Sequence, residues 1–353
     1  MLMVTPKLLR LLKKMPAVLL LLLGVSVSAN AKAAVELVGV STEKGEKQSY
    51  IAAEGDIRLP VTVINGAQSG PVLLLAAGTH GDEFPAMFAL QKLAKELDAE
   101  QVKGTVIVLH LANLDGFHGR RLALNPQDEK NLNREFPGSK TGTATEQIAE
   151  LLTREFISKA DFFVDMHSGS SNQKLLNHVY SPFVGDTDLD QLTFEFAKAT
   201  GMQHIVMYGE RPRDPDNSIS FPNTAMTRGK PGLTTEIGHL AQRDQASIDY
   251  AYQVAKNAMV FLEMIPGEVS ANPDMMIYDH IRYANSQHDG FFTPSLSIGE
   301  RVTEGTKIGV ISDYFGNQVQ TIVAPADGII MMINETPPIK KGESTVAVGI
   351  LQQ

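Results

Sequence analysis

Two histidines and a glutamate lie at points of the chain where strands are expected to end. His80 and Glu83 occupy a glycine-containing turn, GTHGDE, between an apolar run and an amphipathic helical pattern. His167 ends a second apolar run, DFFVDMH. Two histidines and one glutamate that leave a fourth position open form the ligand set of a catalytic zinc ion, because water can occupy the open position. The three residues therefore predict a site for one Zn2+ per chain.

Each part of this set also has a structural interpretation. Glu83 precedes a helical pattern, and a carboxylate at a helix N-terminus is stabilising without any metal. Asp165 lies two residues before His167, and residues i and i+2 of a strand share a face. Asp165 can therefore hold the second ring nitrogen of a ligand histidine, as metal-bound histidines require. It can equally be an acid at a strand end that pairs with a lysine.

A further glutamate, Glu236, ends a short apolar run that is bounded by glycines, GLTTEIG. A glutamate that does not bind the metal can take a proton from an attacking water and pass it to a leaving nitrogen. We therefore predict Glu236 as the general base and acid. The alternative is a glutamate in a salt bridge at a sheet edge.

Polar loops between the first two ligands and His167 contain candidate substrate-binding residues. Arg134 follows Asn133 in the sequence NLNREFPG, and Arg120 and Arg121 lie upstream. An arginine suits a substrate carboxylate because its planar guanidinium donates two parallel hydrogen bonds. The sequence predicts that Asn133 and Arg134 bind a small anionic substrate, although such arginines can also be solvated loop charges.

The elements that position these residues alternate between strand and helix. Six short apolar runs are predicted as strands, and four helical patterns separate or follow them: strands 61–64, 72–77, 105–111, 162–166, 204–208 and 233–237, and helices 84–97, 145–158, 189–200 and 245–264. This alternation predicts an α/β fold with a mixed, mostly parallel sheet flanked by helices. His80, His167 and Glu236 all fall at the carboxyl ends of strands, where open α/β sheets bind ligands.

The chain divides into three predicted segments. Residues 1–31 have the basic start, apolar stretch and Ala-Asn-Ala motif of a cleaved signal peptide, and residues 32–265 form the catalytic domain. Residues 266–353 contain short β-like runs separated by glycines and predict a small all-β domain. Its predicted role is to narrow the mouth of the pocket or to form the contact of a homo-oligomer.

Composition and charge restrict the location and the partners. The apolar stretch of the signal is shorter than the ~20 residues of a spanning helix, which favours cleavage over a permanent membrane anchor. Export predicts a periplasmic or secreted protein without stable membrane insertion after cleavage. The chain has no cysteine, so a metal must be held by nitrogen and oxygen atoms. A formal charge of −9 without a basic patch argues against nucleic-acid binding.

Four motifs in a fixed order resemble the succinylglutamate desuccinylase/aspartoacylase family, part of the zinc carboxypeptidase superfamily. They are GTHGDE at 78–83, NLNREFPG at 131–138, DMHSG at 165–169 and TTEIG at 234–238. The resemblance implies a zinc-carboxypeptidase-like fold and the roles already described for the metal ligands, the general base and the carboxylate-binding pair. It also implies an arginine that stabilises the oxyanion, either Arg120 or Arg121, with Arg121 favoured.

The C-terminal phrases GERVTEGTKIGVI and APADGII are similar to biotinyl/lipoyl-type domains with a barrel-sandwich fold, a known appendage of this family. Such carriers hold a lysine in a tight hairpin, and residues 313–320 contain none. This predicts a structural or gating domain rather than a carrier of a prosthetic group.

Three functions follow as hypotheses. The first is a zinc-dependent deacylase that cleaves an amide, or an ester, of a small N-acyl amino acid bearing a carboxylate. The second is a metallocarboxypeptidase acting on peptides such as those of the cell wall. The third is a non-catalytic scaffold that retains the fold, and the four intact residues His80, Glu83, His167 and Glu236 argue against it.

Overall fold

The structure, a computed structural model, describes residues 34–209 and 211–352. Its central strand, β5 (Gln68–Ala77), shows how the sequence forms the core. Leu73 and Leu75 pack into the core on one face of the sheet, whereas Leu74 and Ala76 pack into the core on the other. Successive side chains of a strand point to opposite faces, so a strand that is buried on both faces is a continuous apolar run.

The six predicted strands and four predicted helices of the first domain are present in the described residues; the helix predicted over 145–158 is an α-helix up to Leu151 and continues as a π-helix, Leu152–Ile157. The helices are α1 (Phe84–Glu96), α2 (Leu114–Gly119), α3 (Ala144–Leu151), α4 (Thr187–Ala199), α5 (Phe221–Met226) and α6 (Gln245–Phe261). The strands, besides β5, are β1 (Ala34–Leu37), β2 (Val40–Glu43), β3 (Glu46–Glu54), β4 (Ile57–Asn65), β6 (Lys103–Leu109), β7 (Leu124–Asn125), β8 (Lys130–Asn131), β9 (Phe162–His167), β10 (Gln173–Leu175), β11 (His178–Pro182), β12 (His204–Tyr208), β13 (Gly232–Glu236), β14 (Met276–Asn285), β15 (Gly290–Pro294), β16 (Arg301–Val302), β17 (Lys307–Ser312), β18 (Gln318–Val323), β19 (Gly328–Asn334), β20 (Pro338–Ile339) and β21 (Ser344–Leu351).

Helix α1, which begins directly after the GTHGDE turn, illustrates why these elements form. Pro85 stands in its first turn, where a missing N–H costs nothing because that group has no partner within the helix. Met87, Leu90 and Leu93 repeat every three residues and are buried against the sheet. The helix therefore anchors the turn that carries His80 and Glu83.

One large sheet runs through the described part of the molecule in the order β10-β19-β21-β14-β12-β11-β13-β9-β5-β6-β4-β3, and β16 pairs with β19. Parallel pairing joins β6, β5, β9 and β13. Both flanks are antiparallel, and β11 also runs antiparallel to β13. The α/β class with flanking helices is confirmed, but the expectation of a mostly parallel sheet holds only for the centre. The added antiparallel strands come from hairpins and from the C-terminal segment.

The C-terminal segment extends the large sheet and also forms a separate small one. Strand β14 pairs in parallel with β12, and β21 and β19 follow at the same flank. The remaining strands form a four-stranded sheet, β18-β17-β15-β20, which gives the predicted small antiparallel β region. The predicted domain boundary at 265/266 lies in the connection after α6, and the large sheet continues across it through the β12–β14 pair.

The predicted signal peptide, 1–31, lies outside the described residues. Within the described residues, none of the helices has the length and apolar character needed to cross a membrane.

Candidate active site

The turn that carries His80 and Glu83 is held by close backbone packing. A Cβ atom on Gly81 would lie 2.2 Å from the backbone nitrogen of Phe117 in α2. Gly78 has a φ of 69°, a conformation that residues with side chains rarely adopt. Only glycine at these two positions lets the chain leave β5, turn against α2 and enter α1, so the sequence fixes the position of the first two candidate ligands.

The structure brings His80, Glu83 and His167 together. Glu83 Oε1 lies 2.7 Å from His80 Nδ1, and Glu83 Oε2 lies 2.7 Å from His167 Nδ1. The candidate ligand atoms of the three residues all lie within 4.8 Å of one another. Glu83 and His167 are buried, while His80 is half-buried at the cavity. The three side chains therefore direct two ring nitrogens and one carboxylate to a common point.

The outer ring nitrogens of both histidines are engaged elsewhere. His80 Nε2 donates to Asn131 Oδ1 at 3.1 Å, and His167 Nε2 donates to Asp165 Oδ2 at 2.8 Å. Asp165 also accepts a hydrogen bond from Thr79 Oγ1 at 2.8 Å. When the imidazoles are neutral, the protons on the two Nε2 atoms leave a lone pair on each Nδ1, facing Glu83. Converging lone pairs and a carboxylate repel each other unless a proton or a metal ion lies between them, so this donor set fits a divalent metal ion once its protons are displaced.

The ionisation of the cluster follows from the same geometry. Burial raises the pKa of Glu83, but the nearby imidazoles of His80 and His167 outweigh burial and bring this pKa to about 2. Burial lowers the pKa of His167, but the carboxylates of Asp165 and Glu83 raise it well above the ordinary histidine value. A metal ion must displace the proton that these carboxylates favour, so metal affinity is expected to rise with pH.

Glu236 lies beside the three candidate ligands. In the parallel pairing of β13 with β9, Glu236 is the register partner of His167. Its Oε2 atom is buried and has no hydrogen-bond partner among the described residues. Burial raises the pKa of Glu236 well above its usual range; His167 opposes this rise, and the carboxylates of Glu83 and Asp165 add to it. A carboxylate that readily takes up a proton therefore stands next to the donor set.

Asn133 and Arg134 lie in a short 3-10 turn that lines the same cavity. Asn133 Oδ1 accepts a hydrogen bond from the backbone nitrogen of Phe221 at 2.9 Å, which leaves its amide nitrogen as the donor for a ligand. Arg134 Nη1 donates to the backbone oxygen of Asn133 at 2.7 Å. Burial and the nearby guanidinium of Arg211 lower the pKa of Arg134. Neither arginine forms an ion pair within the described part of the chain, so the cavity favours an anionic ligand.

The cavity that contains these groups has a volume of about 430 Å³, within the range of small-molecule sites. His80, Glu83, His167 and Glu236 are among its lining residues. The C-terminal strands supply further, largely apolar lining side chains, which are Ile281, Tyr283, Met331, Met332 and Ala347. The C-terminal segment is therefore part of the site rather than an appendage next to it.

Arg121 lies elsewhere. Its guanidinium forms an ion pair with Glu129, and the Arg121 side chain is 47% exposed. Leu122 and Ala123 line the cavity, but Arg121 is not among the described lining residues. That Arg120 or Arg121 stabilises the oxyanion stays a prediction. Arg121 could do so only after its ion pair with Glu129 is broken.

The sequence did not single out several lining residues, among them Arg211, Tyr180 and Tyr208, and it left His178 unassigned. Arg211 lies over the ring of Tyr208, with its Cζ atom 5.2 Å from the ring centroid. His178 and Tyr180 lie on β11, whose antiparallel placement has no local sequence signal. Tyr208 ends β12, and Arg211 lies in the loop after it.

Residues 69–262 match the family model of the succinylglutamate desuccinylase/aspartoacylase catalytic domain. The chain belongs to the succinylglutamate desuccinylase/aspartoacylase family.

Several individual relatives cover most of the chain. An N-alpha-acetyl-L-2,4-diaminobutyric acid deacetylase of Halomonas elongata is 31% identical over 304 residues, which are 84% of this chain and 86% of that protein. The product-bound ectoine utilization protein EutE of Ruegeria pomeroyi is 26% identical, with a TM-score of 0.76 over 86% of this chain and 93% of that one. A succinylglutamate desuccinylase/aspartoacylase of Rhodobacter sphaeroides is 25% identical, with a TM-score of 0.77 over 87% and 96%.

The contact between Asp165 and His167 gives a test of the metal site. We expect Asp165→Asn to lower zinc affinity about 10- to 100-fold, because an amide is a weaker acceptor for the Nε2 proton and orients the ring less well. Competition with a chromophoric chelator measures the affinity. Asp161→Asn is the matched control, since the Asp161 carboxylate accepts from the backbone nitrogen of Val72 and precedes β9 at the end opposite His167. Equal losses in the two variants would contradict the positioning role.

Proposed function

We propose that this protein is a zinc-dependent deacylase that hydrolyses the amide of a small N-acyl amino acid bearing a carboxylate. The observation that carries the proposal is the buried, unpartnered Oε2 of Glu236 beside His80, Glu83 and His167. The family and the activities named for its relatives support the deacylase class. The cavity volume of about 430 Å³ favours small substrates over long peptides. The proposal also assigns the catalytic domain a zinc-carboxypeptidase-like fold.

The residues of the chain divide the chemical work among them. His80, Glu83 and His167 would hold one Zn2+, which supplies Lewis acidity and makes a water more acidic when it is bound. Glu236 takes a proton from the attacking water as the oxygen bonds to the acyl carbon. It then delivers that proton to the leaving nitrogen as the carbon–nitrogen bond breaks, which yields a carboxylic acid and an amine. A raised pKa helps this second step, because a glutamate that holds its proton is a better acid at neutral pH.

Asn133 and Arg134 orient the substrate by its carboxylate. The amide nitrogen of Asn133 and the guanidinium of Arg134 are donors without a carboxylate partner among the described residues. A charge-assisted pair with a substrate carboxylate would satisfy both and would offset the repulsion between Arg134 and Arg211. An ester of the same acid would be bound and cleaved by the same groups.

The role of Glu236 is tested by Glu236→Gln. We expect this variant to keep its bound zinc and to lose at least about 100-fold in kcat, because proton transfer contributes roughly 10²- to 10⁴-fold. The assay is a screen of purified protein against N-acyl amino acids and short cell-wall peptides, with Glu54→Gln as a surface control. Wild-type turnover of the peptides alone would favour the carboxypeptidase hypothesis. Zinc binding without any turnover would favour the scaffold.

The carboxylate-binding pair is tested by Arg134→Ala. We expect kcat/KM to fall roughly 10- to 100-fold for substrates with a carboxylate, and far less for their neutral amide analogues, because only the former lose a charged hydrogen bond. Arg154→Ala is the control, since Arg154 pairs with Glu54 and Glu150 outside the cavity. A similar loss on both kinds of substrate would count against a carboxylate clamp.

We further propose that the protein works outside the cytoplasm, as the motif in residues 1–31 predicts. Cell fractionation followed by N-terminal sequencing is expected to find a periplasmic or secreted protein that begins near residue 32. A cytoplasmic protein with an intact N-terminus would contradict export. Size determination of the same purified material tests the predicted homo-oligomer.

A further inference from the structure

His178 is a buried histidine in the wall of the cavity, and the proposed mechanism assigns no role to it. It is the first residue of β11 and is only 2% exposed. In the antiparallel pairing of β11 with β13, its register partner is Glu236. Partners across an antiparallel pair share a face of the sheet, with Cβ atoms about 5 Å apart. Both residues line the cavity, so the imidazole lies on the side where Glu236 acts.

The hydrogen bonds of His178 define which ring nitrogen carries the proton. Nδ1 lies 2.7 Å from the backbone oxygen of Leu176, and a carbonyl oxygen can only accept, so Nδ1 donates. The ring is neutral at neutral pH, because burial lowers the pKa of His178 to about 4. Nε2 therefore carries a lone pair. This atom is buried and has no hydrogen-bond partner among the described residues.

A buried acceptor without a donor is unfavourable, and native proteins rarely leave one unfilled. The edge-on ring of Tyr180, 4.7 Å away between centroids, packs against the imidazole and fixes its plane. His178 and Tyr180 both line the cavity. A group that enters the cavity can therefore supply the missing donor.

We propose that His178 is a substrate-binding residue whose Nε2 atom accepts a hydrogen bond from an N–H group of the substrate. The inference rests on the proposed deacylase function and adds a specificity determinant to it. An N-acyl amino acid offers such a group at the scissile amide, next to the carboxylate of Glu236. A second source of the same chemistry is a free amino group elsewhere on the substrate. A substrate ester that contains no nitrogen has no N–H group to donate to Nε2 of His178.

Two substitutions separate the functions of the two ring nitrogens. The amide of asparagine lies at about the distance of Nδ1 from the backbone, whereas that of glutamine lies at about the distance of Nε2. His178→Asn therefore keeps a donor for Leu176 and removes the acceptor. His178→Gln keeps an acceptor and removes the donor for Leu176. We expect kcat/KM on an N-acetyl amino acid to fall roughly tenfold in the asparagine variant and to be largely retained in the glutamine variant.

A structural role for His178 predicts the opposite order. If the residue served only to satisfy the oxygen of Leu176, His178→Gln would lose more stability and more activity than His178→Asn. Melting temperature and zinc content are therefore measured on both variants. The opposite order, or equal losses of kcat/KM, overturns the proposal.

The source of the N–H group is identified with matched substrates. If the scissile amide is the donor, the loss in His178→Asn disappears on the ester that replaces this nitrogen with oxygen. If a free amino group is the donor, the loss persists on the ester and disappears on the analogue without that group. A loss that persists on an ester lacking any N–H overturns the proposal. The proposed deacylase function fails separately, through absence of wild-type turnover on every N-acyl substrate.

If neither His178 variant folds, the proposal can still be tested by a measurement on the unsubstituted His178. In the Glu236→Gln protein with ¹⁵N-labelled histidine, addition of an N-acetyl amino acid is expected to shift the Nε2 resonance of His178 upfield, because the lone pair acquires a donor. The corresponding acid without nitrogen should leave it unchanged. A resonance that responds to neither ligand, or equally to both, contradicts the proposal.

Discussion

The site depends on one buried carboxylate, Glu83, which lies between two imidazoles. A buried charge is costly unless its partners are close and correctly oriented. Here each carboxylate oxygen lies 2.7 Å from an Nδ1 atom, and both opposite Nε2 atoms donate to oxygen acceptors. The outer acceptors Asn131 and Asp165 therefore decide which ring nitrogens face Glu83. The resulting donor set, two Nδ1 atoms and one carboxylate, fits a divalent cation.

The sheet provides the convergence that this cluster requires. Strands β13, β9 and β5 are neighbours and run in parallel, so their carboxyl ends meet at one edge. His167 and Glu236 end two of these strands, and the turn with His80 and Glu83 follows the third. Packing on both faces of β5 fixes the strand, and the Gly81 contact fixes the turn. Residues separated by more than a hundred positions thus meet because strand ends are juxtaposed, with no long loop needed to carry them.

How much of this follows from the sequence depends on whether the signal is local. Short stretches of sequence indicate the buried strands, the amphipathic helices and the chemistry of His80, Glu83, His167 and Glu236. The structure places these four side chains together. The antiparallel position of β11 and the extension of the sheet by β14 arise from pairing between distant segments, so no local pattern indicates that His178 or Tyr283 lines the cavity. The family resemblance favours Arg121 at the oxyanion, whereas the ion pair of Arg121 with Glu129 depends on a loop conformation that no local pattern specifies.

The most direct measurement is crystallographic: anomalous diffraction at the zinc edge from crystals grown with one equivalent of Zn2+. We expect a single strong peak within bonding distance of His80 Nδ1, His167 Nδ1 and the Glu83 carboxylate, with Glu236 beside it and not bound to it. A peak at other residues, coordination through the Nε2 atoms, or Glu236 as a direct ligand would contradict the account.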